Sequence, residues 1–145
     1  MAKTKLTTVH HLTAKRFVGI TPGHQRVMID GEDHASTGMD PMELLLNALG
    51  SCTAFDVVEM IRKRRVELAS YRVELVGHQR EESPSAYTAI DVTHVIDAPG
   101  LSQPMAERFV DLAMTKHCSV AASLSATISS AVRLVHTDGE EAAAG

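Results

Sequence analysis

The stretch Asp40-Pro41-Met42-Glu43-Leu44-Leu45-Leu46-Asn47-Ala48-Leu49-Gly50-Ser51-Cys52-Thr53 decides the fold. Asp40 suits a helix N-cap, Pro41 the first helical position and Glu43 the third position of a capping box. A helix is therefore expected from Pro41 to about Lys63. Through Phe55 it is apolar on nearly all sides, which predicts burial on most faces. That is more apolar surface than a monomer of 145 residues is expected to cover, so an obligate homodimer is predicted. Beyond Phe55 the helix turns polar and ends in Arg62-Lys63-Arg64-Arg65, cations that suit the negative end of a helix macrodipole.

On the N-terminal side, three short strands are expected at 3–11, 15–20 and 24–29. They are separated by Pro22-Gly23 and closed by Asp30-Gly31, as in an antiparallel meander. Residues 32–39 read as a polar loop. On the C-terminal side, 70–79 and 87–97 alternate as strands, with Tyr71, Val73 and Leu75 sharing one face, and Ile90, Val92, His94 and Ile96 another. The segment between them, 80–86, is polar and contains Pro84, an exposed hairpin tip. Ser102 caps a second helix that runs to about His117, residues 119–124 add one or two turns, and 126–136 closes the chain as a strand. The acidic, Ala-rich tail 137–145 is expected to fray. The sum is one α+β domain over residues 1–145, with helices segregated from antiparallel sheet. Its parts are a meander (1–35), the Cys52 helix (40–64), a hairpin (70–97), helices with Cys118 (102–125) and a final strand (126–136).

Composition removes several functions. The formal charge is −4, aromatics are 3% of residues and there is no Trp, so no basic surface interleaved with aromatics is available to nucleic acid. Residues 1–8 are polar and charged, with no apolar region of a signal peptide behind them. The longest apolar candidate, 44–55, contains Asn47 and falls short of the roughly 18 residues of a membrane helix. A cytoplasmic location is expected, with no membrane partner. Two cysteines in a reducing compartment read as free thiols or a redox pair rather than a structural staple, and they are too few for a zinc site. The eight histidines form no helical metal pair, so no metal or cofactor is expected.

The two thiols carry the chemistry. Cys52 lies mid-helix, and buried free cysteine is commonly inert. Against that, Gly50 costs a helix interior roughly 1 kcal/mol, which marks close approach by another backbone or a ligand. Ala48, Gly50 and Ser51 also leave space beside the sulfur. Cys118 stands at a break between helical segments, where a helix N-terminus favours thiolate. Asp56, four residues beyond Cys52 on the same helical face, works against thiolate.

These residues resemble a known family. Asp40-Pro41-Met42-Glu43-Leu44-Leu45-Leu46 leading to Gly50-Ser51-Cys52 looks like the first cysteine helix of the OsmC/Ohr family (osmotically inducible protein C, organic hydroperoxide resistance). Lys116-His117-Cys118-Ser119-Val120-Ala121 looks like its second cysteine motif, and the 66-residue separation fits. The likeness runs from about Gly19 to Val135 and is strongest to the YhfA-like branch. It implies an OsmC-like α+β fold: antiparallel sheets wrapped around two central helices in an intertwined homodimer. It also implies a thiol peroxidase in oxidative-stress defence. Cys52 would attack a small-molecule organic hydroperoxide, Cys118 would resolve the sulfenic acid to a disulfide, and a thiol or lipoyl reductant would restore both. Where the family's peroxidases carry Glu directly after the motif Pro, this chain has Met42. The acid comes at Glu43, rotated by about 100° on a helix. Arg16 and Arg26 lie in the third of the chain where the family's activating Arg is found, but no motif anchors either. The alternative is a non-peroxidatic OsmC-fold protein, one that binds a small hydrophobic or electrophilic ligand or senses redox state through its thiols.

Overall fold

The computed structural model describes residues 3–136, which fall into two compact units dividing after Leu45. The expected fraying of 137–145 lies outside the described residues.

In the N-terminal unit, β1 (Thr8–Thr13), β2 (Arg16–Ile20) and β3 (Arg26–Asp30) form the expected antiparallel meander in the order β1-β2-β3. The stretch expected to be a plain polar loop is organised by one carboxylate. Asp30 is fully buried. It accepts backbone N–H bonds from Glu32, Ser36 and Thr37, the Thr37 hydroxyl at 2.8 Å, and Arg16 Nε at 3.2 Å. The Glu32 N–H, with the other donors, holds the Asp30 carboxyl well below the usual carboxylate range despite burial. Helix α1 (Pro41–Lys63) begins as the sequence predicts. Asp40 Oδ1 accepts from the Glu43 N–H at 2.8 Å, and Glu43 Oε1 accepts from the Asp40 N–H at 3.0 Å.

In the C-terminal unit, β4 (Ser70–Gln79) and β5 (Tyr87–Asp97) pair antiparallel with the bounds that alternation predicts. Helix α2 (Gln103–Leu112) is N-capped by Ser102, whose hydroxyl accepts from the Met105 N–H. The chain then widens into a π-turn (Ala113–His117), passes Cys118, and makes the single turn α3 (Ser119–Ala122) before β6 (Thr127–Leu134). The expectation of a wholly antiparallel sheet is corrected here. β6 lies parallel to β5, Ala89 opposite Thr127 through Ile96 opposite Leu134. A helical crossover returns the chain to the same end of the sheet, and that connection requires parallel pairing.

Of the burial expected on most faces of α1, one chain by itself supplies a single stripe. Only Leu49, Gly50, Thr53, Val57 and Ile61 are buried, a stripe at helical spacing. Val57 and Ile61 pack with Ile96, Phe109 and Val110, and Leu49 packs with Ile90 and Val92. Each such side chain contributes about 1.5–3 kcal/mol by leaving water. The far side of α1 is not covered by the chain; Phe55 is 74% exposed. By length and composition alone α1 would also suffice to cross a bilayer, a property that core helices share.

His94 is fully buried on β5, with Nδ1 2.6 Å from the Tyr71 hydroxyl and no partner for Nε2. Burial pushes its pKa down to about 4 and pushes that of Tyr71 up, so the hydrogen bond joins two neutral groups, the Tyr71 phenol and the His94 imidazole. An unfolded histidine near 6.5 takes a proton that the folded one refuses. Stability should therefore fall as pH drops from about 6.5 through about 4, by up to about 3 kcal/mol. Urea titrations of wild type and His94→Gln should show their stability difference shrinking over that window. A difference constant with pH would show that His94 does not contribute this dependence.

Candidate functional site

The site starts from a glycine. A Cβ at Gly50 would stand 2.8 Å from Leu75 Cδ1 and 3.6 Å from Val73 Cγ1. A Cβ there would require the Leu75 side chain to shift. The sequence predicted a close approach by a backbone or a ligand; the group that arrives is a leucine side chain. Thr53, buried beside it, returns its hydroxyl to the Leu49 and Gly50 carbonyls at 3.2 and 3.0 Å. Cys52, between them, is half-buried.

Cys118 arrives from the crossover. The π-turn delivers it in extended backbone, φ −79° and ψ 103°, before α3 begins. It is buried in the same apolar cluster as Leu49, Ile90 and Val92, and Cys52 packs against that cluster. Its sulfur accepts the Ala121 N–H at 3.2 Å. The two predicted site residues are thus brought together, close enough for Cys52 to oppose the ionisation of Cys118.

The electrostatics correct one expectation. Cys118 does stand where a helix begins, and the N–H groups of Ala121 and Val120 do favour thiolate. Burial outweighs them, the neighbouring Cys52 adds to it, and the Cys118 thiol is pushed up rather than down. Among the described residues no Arg or Lys hydrogen-bonds to or pairs with either sulfur. Arg16 is engaged with Asp30 in the N-terminal unit, and Arg26 is exposed.

Around Cys118 the π-turn and α3 border an open cavity of about 370 Å³, lined by Met114, Lys116, His117, Cys118, Ser119 and Ile128 among others. Nothing in the sequence announces it; a π-turn has no residue signature comparable to a capping box. Elsewhere Ser129, Asp91 and His78 share a hydrogen-bonded chain on the surface, with Asp91 in the middle at 2.7 and 2.9 Å. The carboxylate, not the imidazole, bonds the serine, so the arrangement does not activate a nucleophile. Among the described residues no three His, Cys, Asp or Glu side chains converge as metal ligands.

Comparison with known proteins bears on this arrangement. Residues 31–133 match the family described as OsmC-like protein. Protein YhfA of Escherichia coli K12 is 32% identical over 121 residues, 83% of this chain and 87% of that one. The crystal structure of a hypothetical protein from Aquifex aeolicus VF5 is 27% identical, covers 92% of this chain and 97% of its own, and superposes with a TM-score of 0.79. An organic hydroperoxide resistance protein from Legionella pneumophila, described also as a predicted redox protein, covers 91% of this chain and 98% of its own, with a TM-score of 0.64. At 12% identity that likeness is one of fold.

The ionisation of Cys118 is open to test. Cys52→Ala removes a group that opposes it, so the pH midpoint for Cys118 alkylation by iodoacetamide, followed by peptide mapping, should move down relative to wild type. An unchanged midpoint would show that the thiols do not act on one another.

Proposed function

The chain belongs to the OsmC-like protein family, and on that premise we propose that it is a cytoplasmic thiol–disulfide redox protein whose Cys52 and Cys118 reduce organic hydroperoxides in oxidative-stress defence. The observation that carries this reading is the packing of two thiols, 66 residues apart in sequence, against one another in one apolar cluster. In the first step the Cys52 thiolate attacks the terminal peroxide oxygen. The O–O bond breaks, the alkoxide leaves and takes a proton to become an alcohol, and Cys52 becomes a sulfenic acid. Cys118 then attacks the Cys52 sulfur; hydroxide leaves, takes the Cys118 proton to become water, and a disulfide forms. Two electrons from a thiol or lipoyl reductant restore both thiols. Burial raises the pKa of Cys118, so it enters the second step as a thiol, and its proton is the one that leaves with hydroxide as water.

Two observations favour a second reading, a redox sensor or a binder of a small hydrophobic or electrophilic ligand. No Arg or Lys partners either sulfur among the described residues, and Met42 follows Pro41, with Glu43 closing the capping box. The experiment that separates the readings is stopped-flow oxidation by cumene hydroperoxide with thiol counting. Cys52→Ser should abolish hydroperoxide consumption. Cys118→Ser should allow one turnover and leave a sulfenic acid on Cys52 that a dimedone-type probe traps. Full activity in Cys52→Ser, or two intact thiols in wild type under excess hydroperoxide, would remove the peroxidase reading and leave the second.

The same proposal includes a homodimer. Phe55 at 74% and Leu45 at 38% exposure leave an apolar side of α1 in water, which a second copy would cover. Light scattering at micromolar concentration should give twice the 15.6 kDa chain mass; the mass of one chain would refute it.

A further inference from the structure

The cavity beside the thiol pair has Cys118 in its wall and not Cys52. Its lining carries one lysine, Lys116, with His117 and the hydroxyls of Thr115 and Ser119, and includes no Asp or Glu. Both Lys116 and His117 are exposed, so their charge and hydrogen-bond donors are available to a ligand. The volume of about 370 Å³ falls within the roughly 300–1,000 Å³ of small-molecule sites. The wall is built by a π-turn, a feature of helices that is frequent at functional sites.

We propose that this cavity is the docking site of the reductant, a small thiol carrying a negative charge, and that it attacks the disulfide at Cys118. The proposal rests on the Cys52–Cys118 cycle above. A thiolate must approach a disulfide along the extension of the S–S bond, and of the two cysteines it is Cys118, not Cys52, that lines this cavity. The reductant sulfur bonds to Cys118 Sγ, the bond to Cys52 breaks, and Cys52 leaves as thiolate. A second reductant thiolate then attacks the first reductant sulfur, and Cys118 departs and takes up a proton. The reductant leaves as a disulfide, having supplied two electrons. Lys116 attracts the negative charge of the incoming molecule, and the absence of carboxylates from the lining leaves that attraction unopposed.

The test does not need peroxidase activity, because the azo oxidant diamide closes the disulfide directly. Oxidised protein is mixed with excess 3-mercaptopropionate, quenched in acid, alkylated and mapped. The expected adduct is on Cys118; an adduct on Cys52 overturns the proposal. Dihydrolipoate and dihydrolipoamide then serve as a matched pair, with the same thiols and different charge. Dihydrolipoate should reduce the wild-type disulfide about three- to fivefold faster at low salt, the worth of one partly exposed ion pair. Lys116→Glu should remove or reverse that preference without altering thermal unfolding. Equal rates in wild type overturn the assignment of an anionic reductant. If diamide closes no disulfide, both this proposal and the thiol-pair reading fail. A closed disulfide attacked at Cys52 removes this proposal alone.

Discussion

A helix can approach a strand only as closely as the side chains between them permit, and at residue 50 there is none. A Leu75 methyl lies 2.8 Å from where a Cβ would be. Beside that contact Leu49 is fully buried with Ile90 and Val92, and Cys52 packs against the cluster that contains Cys118. Disulfide chemistry tolerates little error, since the sulfurs must close to about 2 Å with a restricted dihedral.

Polar groups are treated differently in the two units. The N-terminal unit buries one carboxylate, Asp30, and surrounds it with backbone N–H groups, a hydroxyl and a guanidinium. The C-terminal unit buries both oxygens of Asp97, His94 Nε2 and Arg133 Nε without hydrogen-bond partners. Groups left in that condition cost about 1–3 kcal/mol each. The thiol-bearing unit is thus held by apolar packing acting against a polar penalty, with Val57, Ile61, Ile96, Phe109 and Val110 at its centre.

What the sequence disclosed follows from the range of the signal. The capping box and the terminal cations mark α1 as Pro41–Lys63, and strict alternation marks β4 and β5, because both are written within a few residues. Alternation in β6 says which face is buried but not which way its partner runs, so the parallel pairing was not legible. The apolar character of Phe55 was plain, and what would cover it was not. Asp30 looked like a turn residue because its donors, Ser36 and Thr37, come later along the loop. The meeting of Cys52 and Cys118 was carried by the family resemblance, not by spacing. The ionisation of Cys118 depends on a contest between two backbone N–H groups and burial, and burial by distant residues leaves no local trace.

The parallel pairing of β5 and β6 has a consequence for the order of assembly. Hairpin contacts such as β4–β5 form between near neighbours in the chain, whereas β6 docks only after the whole crossover has been closed, a slow, non-local event. Cys118 rides on that crossover, between the π-turn and α3. While the chain is still emerging or only partly collapsed, Cys118 has no fixed position beside Cys52. The geometry that sets Cys118 beside Cys52 is therefore a property of the closed crossover and not of the β4–β5 hairpin.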